Sequence, residues 1–277
     1  MAQWHRNNPW RQGHLLAAET TRALGLSHSE TPSDTAVVVI SHDCDLAQDT
    51  SAEPNCEIVI GRKIASVDGN FANAKSIRKL HLPFSKGDGT TVPIELEAAA
   101  KTAIKKDQIA SHLPDASILL HANEATILQA WLAARYRRAS FADEFDQRLT
   151  KNAKKAYEKL LRIFKATSED IIAVFFDVDQ GAEVIRKGPD DVYELVIYLL
   201  YSVDKDPEKA KQAATKAAAD ITRIFKEQFE SGGRWQNIEL IDCQPISEET
   251  MTVRMDRVLK RWNLDYISLK EDHLTLN

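Results

Sequence analysis

The spacing of apolar positions along this chain changes near residue 120. Before that point apolar residues come in short runs: RQGHLLAAE from Arg11, TAVVVIS from Thr35, NCEIVIGRKI from Asn55, SIRKLHLPF from Ser76 and TTVPIEL from Thr90. Runs of this length, rich in β-branched residues and bounded by polar turns, predict strands. SKGDG separates the last two, and its Asp88-Gly89 pair is hairpin-turn chemistry. KKDQIASHL, from Lys105, is expected to close the region as a short strand or turn. Five or six short strands with no long helical period between them predict a small β-barrel over residues 1–120.

Beyond residue 120 the period lengthens. NEATILQAWLAARYRR places Ile127, Leu128, Trp131 and Leu132 on one helical face, with Tyr136 in phase and Asn123 as the expected N-cap. A second helix is expected from Asp143, with the stripe Phe145, Leu149, Ala153, Ala156, Leu160 and Phe164. These helices define a connector over 121–166. The remaining segment, 167–277, reads as an α/β unit with an antiparallel sheet. Its strands are DIIAVFFDVD, VYELVIYLLYSV and WQNIELIDCQPI. A long helix between the second and third is capped by Asp206, has Pro207 at its first position and stops at Gly232-Gly233. SEETMTVRMDRVLKRW predicts a closing helix, with Ser247 or Thr250 as its cap. The fold class is therefore α+β. There is no internal repeat.

Composition is that of a folded soluble protein, with 43% hydrophobic and 28% charged residues among 277. No apolar run approaches the roughly 20 residues that span a bilayer. MAQWHRNNPW lacks the apolar core of a signal peptide, so a cytoplasmic protein with no membrane partner is expected. The three cysteines, Cys44, Cys56 and Cys243, do not make an even disulfide framework. The net charge of -5 is uneven: His121 to Ala166 holds ten basic and five acidic residues, hence +5, leaving -10 elsewhere. A basic module on an acidic body points to a polyanionic partner.

Candidate chemistry concentrates in VVVISHDCDLAQ, residues 37–48. If the strand continues through it, alternation puts Ser41, Asp43 and Asp45 on one face and His42 and Cys44 on the other. Three chemistries fit these residue types. His42, Cys44 and Cys56 are ligands that zinc prefers. Cys44 as thiolate pairs with His42, His81 or His112 as base. Asp43 and Asp45 suit acid/base work or an oxygen-bound Mg²⁺. The structural alternative is that the two aspartates cap a turn and Cys44 fills the core. A second candidate is basic. Arg135, Arg137 and Arg138 interleave with Tyr136 and Phe141, and Lys151, Lys154 and Lys155 extend the set toward phosphate contact with aromatic stacking. Asp177 and Asp179 read as strand-end and turn residues. The chain contains no Walker loop, Gly-x-Gly-x-x-Gly, Gly-x-Ser-x-Gly or His-Glu-x-x-His motif.

Taken in order, RQGHLL (Arg11–Leu16), AVVVISHD (Ala36–Asp43) and the Asp107–Ile109 tripeptide of IKKDQIASH resemble the PemK/MazF group of small-barrel toxins. The resemblance covers residues 11–109. It implies an SH3-like barrel, nucleic-acid binding, a bacterial toxin or phage-defence setting and, as in the best-known members, RNA cleavage without a metal. The arginine that such proteins carry before the second motif is replaced here by Ser33, Asp34 and Thr35. The hydroxyl residue of the next strand has no counterpart at Ile60 or Gly61, although Arg62 follows. The expected site is His42, Asp43, Cys44, Asp45 and Arg62, with His42 or Asp43 as base, Arg62 stabilising charge and no cofactor. The alternatives are a non-catalytic accessory subunit of a defence or mobile-element system, and a thiol- or zinc-dependent hydrolase.

Overall fold

The computed structural model describes residues 3–134, 136, 141–182, 184 and 186–262. The chain folds as two units, Met1–Tyr136 and Arg137–Asn277. The segment 121–166 is shared between them: its first helix belongs to the first unit and the next two to the second. Among the described residues no helix is long and apolar enough to cross a membrane.

The first unit runs α1 (Ala18–Ala23), β1 (Thr35–Val39), α2 (Asp43–Leu46), β2 (Asn55–Lys63), β3 (Lys79–Lys86), β4 (Thr91–Glu97), β5 (Lys101–Lys105), α3 (Lys106–Ile109), β6 (Ile118–Leu119) and α4 (Ala122–Ala134). The six strands form one antiparallel sheet in the order β1-β2-β4-β3-β6, with β5 also on β2, and the sheet curls into a half-barrel. RQGHLL makes two isolated bridges, Leu15 to Val38 and Leu16 to Pro114, the first flanked by Gly13 N–H to Val39 O and Leu16 N–H to Val37 O. The β3–β4 hairpin forms around the expected turn. Gly89 takes φ 82°, and the Thr90 N–H donates to Asp88 Oδ1 at 2.8 Å.

Apolar residues are buried on both faces of β1. Val38 joins a core with Val59, Leu80, Leu82, Phe84 and Ile94, onto which α4 lays Leu128 and Trp131. Val37 and Val39 enter a second core with Trp4, Trp10, Leu46, Ile58, Ile104 and Ile109. A strand buried on both sides is expected to read as an unbroken apolar run rather than an alternation, which is the pattern of VVVI. α4 begins at Ala122, so Asn123 lies inside it rather than capping it.

The second unit runs α5 (Asp143–Thr150), α6 (Lys154–Ala166), β7 (Ile171–Val178), β8 (Tyr193–Tyr201), α7 (Pro207–Phe229), the hairpin β9 (Glu230–Ser231) and β10 (Arg234–Trp235), β11 (Ile238–Ser247), α8 (Val253–Val258) and β12 (Lys260–Arg261). The single helix expected from Asp143 is two helices, broken where Ala153 takes φ -117°, ψ 37° and its side chain is buried. Asp206 caps α7 by accepting the Lys209 N–H, as expected. The helix ends at Phe229, and Gly232 and Gly233, at φ 60° and 76°, make the turn of the β9–β10 hairpin. Neither Ser247 nor Thr250 caps α8. Ser247 caps the preceding short turn, and Thr252 caps the helix by accepting the Met255 N–H.

The expected antiparallel sheet is corrected to a mixed one. Its order is β11-β8-β7-β12, with β8 and β11 parallel and the other pairs antiparallel. The reason is the 23-residue α7 between β8 and β11, which carries the chain back to the starting end of β8. α5, α6 and α7 bury one face of this sheet in a core with Phe176, Leu195, Ile197 and Leu240.

Arg148 of α5 is almost fully buried and ties this unit together. Its guanidinium donates to Glu144 Oε1 at 2.8 Å and to the carbonyls of Gly188, Asp191 and Asn237 at 3.0, 2.8 and 3.1 Å, and it lies over the Tyr193 ring. Replacing it with an apolar side chain strands those acceptors. Arg148→Met is expected to lower the stability of this unit by about 3 kcal/mol or more, read as faster hydrogen exchange across β8 and β11.

Candidate functional site

The chain leaves the sheet at Ser41. The Ile40 and Ser41 amides both donate to Glu57 O, and Ser41 Oγ accepts the Glu57 N–H at 2.8 Å, which closes the end of the β1–β2 ladder. Residues 43–46 then turn into α2. The alternation expected for a continuing strand does not form, and His42, Asp43, Cys44 and Asp45 are all exposed on one helical turn. His42 is its N-cap: the Nδ1 atom accepts the Cys44 N–H at 3.2 Å, so the neutral ring carries its proton on Nε2.

Four residues cannot hold a helix in water, and the C-terminal carbonyls of this turn are satisfied by distant residues. Lys106, fully buried at the start of α3, donates from Nζ to Asp45 O at 2.6 Å and Gln48 O at 3.1 Å. Its ammonium also lies over the Trp4 ring. Trp4 Nε1 and Asn8 Nδ2 both donate to Leu46 O, at 3.0 and 2.8 Å. A cation at a helix C-terminus is the favoured sign. Burial lowers the Lys106 pKa, opposed by the charges of Glu53, Asp45 and Asp49.

The N-terminal segment lies along the other side of the turn. The Gln12 N–H donates to Asp43 Oδ1 at 2.8 Å, and Gln12 Nε2 donates to Ile40 O at 2.8 Å. Gln129 Nε2 on α4 holds Gln12 Oε1. His14 accepts the Arg11 N–H on Nδ1 at 3.1 Å, so its proton too sits on Nε2. Burial lowers the pKa of His14, the charge of Arg11 lowers it further, and Asp43 opposes both. His14 is therefore a neutral imidazole at pH 7. Arg11 is exposed, with Nη1 donating to the carbonyls of Asn8 and Trp10. Arg11, His14, His42 and Asp43 thus gather at one end of β1.

Arg62 is not part of this group. It pairs opposite Thr35, at the other end of β1, four residues and about 13 Å along the strand from Val39. Its guanidinium donates to Glu95 Oε1 from Nε at 2.8 Å and Nη2 at 2.7 Å. Glu95 Oε2 accepts from His81 Nε2 at 2.9 Å and Lys79 Nζ at 3.2 Å. The Asp68 N–H donates to His81 Nδ1, which fixes the proton on Nε2. Both Glu95 and His81 are buried. Gly61 is required beside this cluster, because a Cβ there would collide with the carbonyl oxygen of Glu95. Arg62 and His81 are therefore partners in a clasp between β2, β3 and β4. His112 contacts Thr20 Oγ1 instead.

The zinc reading fails on geometry. Cys56 faces the second core on β2, where burial pushes its thiol up to about 11, while Cys44 is exposed. Among the described residues no group of three His, Cys, Asp or Glu side chains is placed to hold a metal ion. Cys44 has its own backbone amide, not its thiol, as the partner of His42.

In the second unit, Lys151, Lys154 and Lys155 are exposed between α5 and the first turn of α6. Arg135, Arg137 and Arg138 lie outside the described residues. Arg11, Gln12, His14 and Lys106 were legible only as parts of predicted strands or turns, and Glu95 as a strand residue. The signal was there in RQGH and KKDQI, but only a shared neighbour at residues 42–48 turns them into a site. Comparison with protein-family models, curated proteins and solved structures gives no match to this chain.

The Glu95 clasp has a pH signature. Burial alone raises a carboxyl pKa, but the hydrogen bonds from His81 and Lys79 and the charges of Lys79 and Arg62 outweigh it and hold Glu95 below its ordinary 4.5. A depressed folded-state pKa gives stabilisation that is present above the unfolded value and lost as pH falls toward the folded one. Glu95→Gln is expected to cost about 3–5 kcal/mol at pH 7, with the difference from the parent shrinking below pH 4.5 in urea titrations. His14 is expected to titrate below the ordinary 6.5, followed by its imidazole proton resonance. A midpoint at or above that value contradicts its assignment as neutral.

Proposed function

We propose that the first unit is a PemK/MazF-like, SH3-type half-barrel that binds single-stranded RNA and cleaves it at the turn after β1, in a bacterial toxin or phage-defence setting. One observation carries the reading. The three segments that resemble that group meet at a single place, with Gln12 of the first bonded to Asp43 of the second and Lys106, next to the third, bonded to Asp45 O. Lys151, Lys154 and Lys155 hold phosphate.

The chemistry is internal transesterification. Asp43 takes the proton of a ribose 2′-hydroxyl, whose oxygen attacks the adjacent phosphorus. The bond to the 5′-oxygen breaks, and the Nε2–H of His42 donates a hydrogen bond to that leaving oxygen, which takes its proton from water. The products are a 2′,3′-cyclic phosphate and a 5′-hydroxyl end. Arg11 replaces Arg62 as the group that balances charge on the phosphorane, because Arg62 is consumed by Glu95. The neutral Nε2–H of His14 donates to a non-bridging oxygen.

A cleavage assay of the full chain on a single-stranded RNA in excess EDTA tests this. The parent is expected to yield cyclic-phosphate ends. Asp43→Ala and His42→Ala are each expected to lose about 100-fold or more in rate, while Lys63→Ala on the exposed end of β2 retains full activity. Salt-dependent binding with no cleavage removes the catalytic step and leaves a non-catalytic accessory protein.

A further inference from the structure

α6 carries Lys154, Lys155, Lys159, Arg162 and Lys165 against a single carboxylate, Glu158, and all six are exposed. At 3.6 residues per turn these six positions fall within an arc of about 140°. The opposite side, with Ala156, Tyr157, Leu160 and Phe164, is buried in the core of the unit. Among the described residues Lys154, Lys155, Arg162 and Lys165 make no ion pair, and Lys159 meets Glu227 at 3.1 Å in an exposed pair. Such a pair is worth about 0–1 kcal/mol and yields readily to another anion. Arg223 of α7 lines the same groove as Lys159 and Arg162, held only by its exposed bond to Asp220. The arrangement costs the helix stability. Two lysines occupy the first turn, where the macrodipole favours anions, and Ala153 supplies no capping side chain. α5 next to it has Asp143, Glu144 and Asp146 in its first turn, as the dipole prefers.

We propose that this face of α6, with Arg223, is a rail for a nucleic-acid strand several nucleotides long, rather than a seat for one phosphate. The proposal rests on the nucleic-acid reading above and extends it to the length of the ligand. Lys154 to Lys165 spans about 16 Å of helix, which matches about five phosphates at the 3.4 Å axial spacing of one stacked strand. A membrane surface fits less well. Helices that lie on membranes insert large apolar residues beside their cations, and none of the exposed large apolar side chains of this chain is on α6 or α7.

The test is binding of the full chain to a fluorescein-labelled 12-nucleotide RNA and to a labelled trinucleotide, in 50 to 200 mM salt. The triple variant Arg162→Ala/Lys165→Ala/Arg223→Ala changes only exposed side chains, and an unchanged circular-dichroism melt verifies its fold. The expected result is about tenfold weaker binding of the 12-mer, a log–log salt slope reduced by about 2, and unchanged binding of the trinucleotide. If the parent binds the 12-mer and the variant binds it equally well, the rail is wrong and the nucleic-acid reading survives. If the parent binds neither RNA, both fall. Vesicles of phosphatidylserine and phosphatidylcholine that bind the parent more tightly than the 12-mer does, and lose that binding in the variant, overturn the rail in favour of a membrane surface.

Discussion

A four-residue helix makes too few hydrogen bonds to repay the entropy of ordering it, so the turn that carries His42, Asp43, Cys44 and Asp45 exists only because other parts of the chain complete it. The central contact is the buried Lys106 ammonium on Asp45 O and Gln48 O. An ammonium is expensive to bury, and here its cost is offset by two carbonyls at a helix C-terminus and the face of Trp4. Leu46, the buried residue of the turn, sinks into the same core as Trp4 and Ile109. The exposed residues of the turn are thereby set in one orientation beside Arg11 and His14, and residues separated by up to about a hundred positions share one small surface.

Two ionic arrangements in the first unit show how context changes what a charged residue does. Arg62 and His81 have the side-chain chemistry of a phosphate-processing site, yet both are turned toward the buried carboxylate of Glu95. Arg62 and Lys79 also meet Glu30 and Glu97, so this structural clasp holds a carboxylate for each cation and leaves no positive charge over for a ligand. Among the described residues neither Arg11 nor His14 is in an ion pair with a carboxylate, and at the edge of the turn Arg11 is exposed and His14 half-buried. Exposure and residual valence, rather than residue type, separate the two groups.

In the second unit a long crossover helix decides the sheet. α7 returns the chain to the starting end of β8, so β11 pairs with it in parallel, while β7, joined to β8 by a loop, pairs in antiparallel fashion. The buried Arg148 then links α5 to three separate carbonyls around Tyr193. The helices that cover this sheet keep their apolar stripes inward, and for α6 that leaves nearly all of its charge outward and positive.

Local pattern in the sequence was enough to place β1, β2, the β3–β4 hairpin, both central strands of the second unit and the capped start of α7, because each depends on neighbours within a few residues. The α+β class followed from the change in apolar spacing. What local pattern could not decide was anything set by distant partners. The strand character of VVVIS ends at Ser41 because Ser41 closes the β1–β2 ladder on Glu57 and Lys106 captures the next turn, neither of which is adjacent in the chain. The parallel β8–β11 pairing, the engagement of Arg62 by Glu95 and the approach of His14 to Asp43 are likewise contacts between residues 29 to 46 positions apart, where burial and hydrogen bonding select one arrangement among many that the same residues allow. For VVVISHDCDLAQ the sequence determined a buried strand running into a polar turn. Only the tertiary structure decided that the turn is helical, exposed and bordered by Arg11 and His14, since those neighbours are brought there by the packing of the half-barrel.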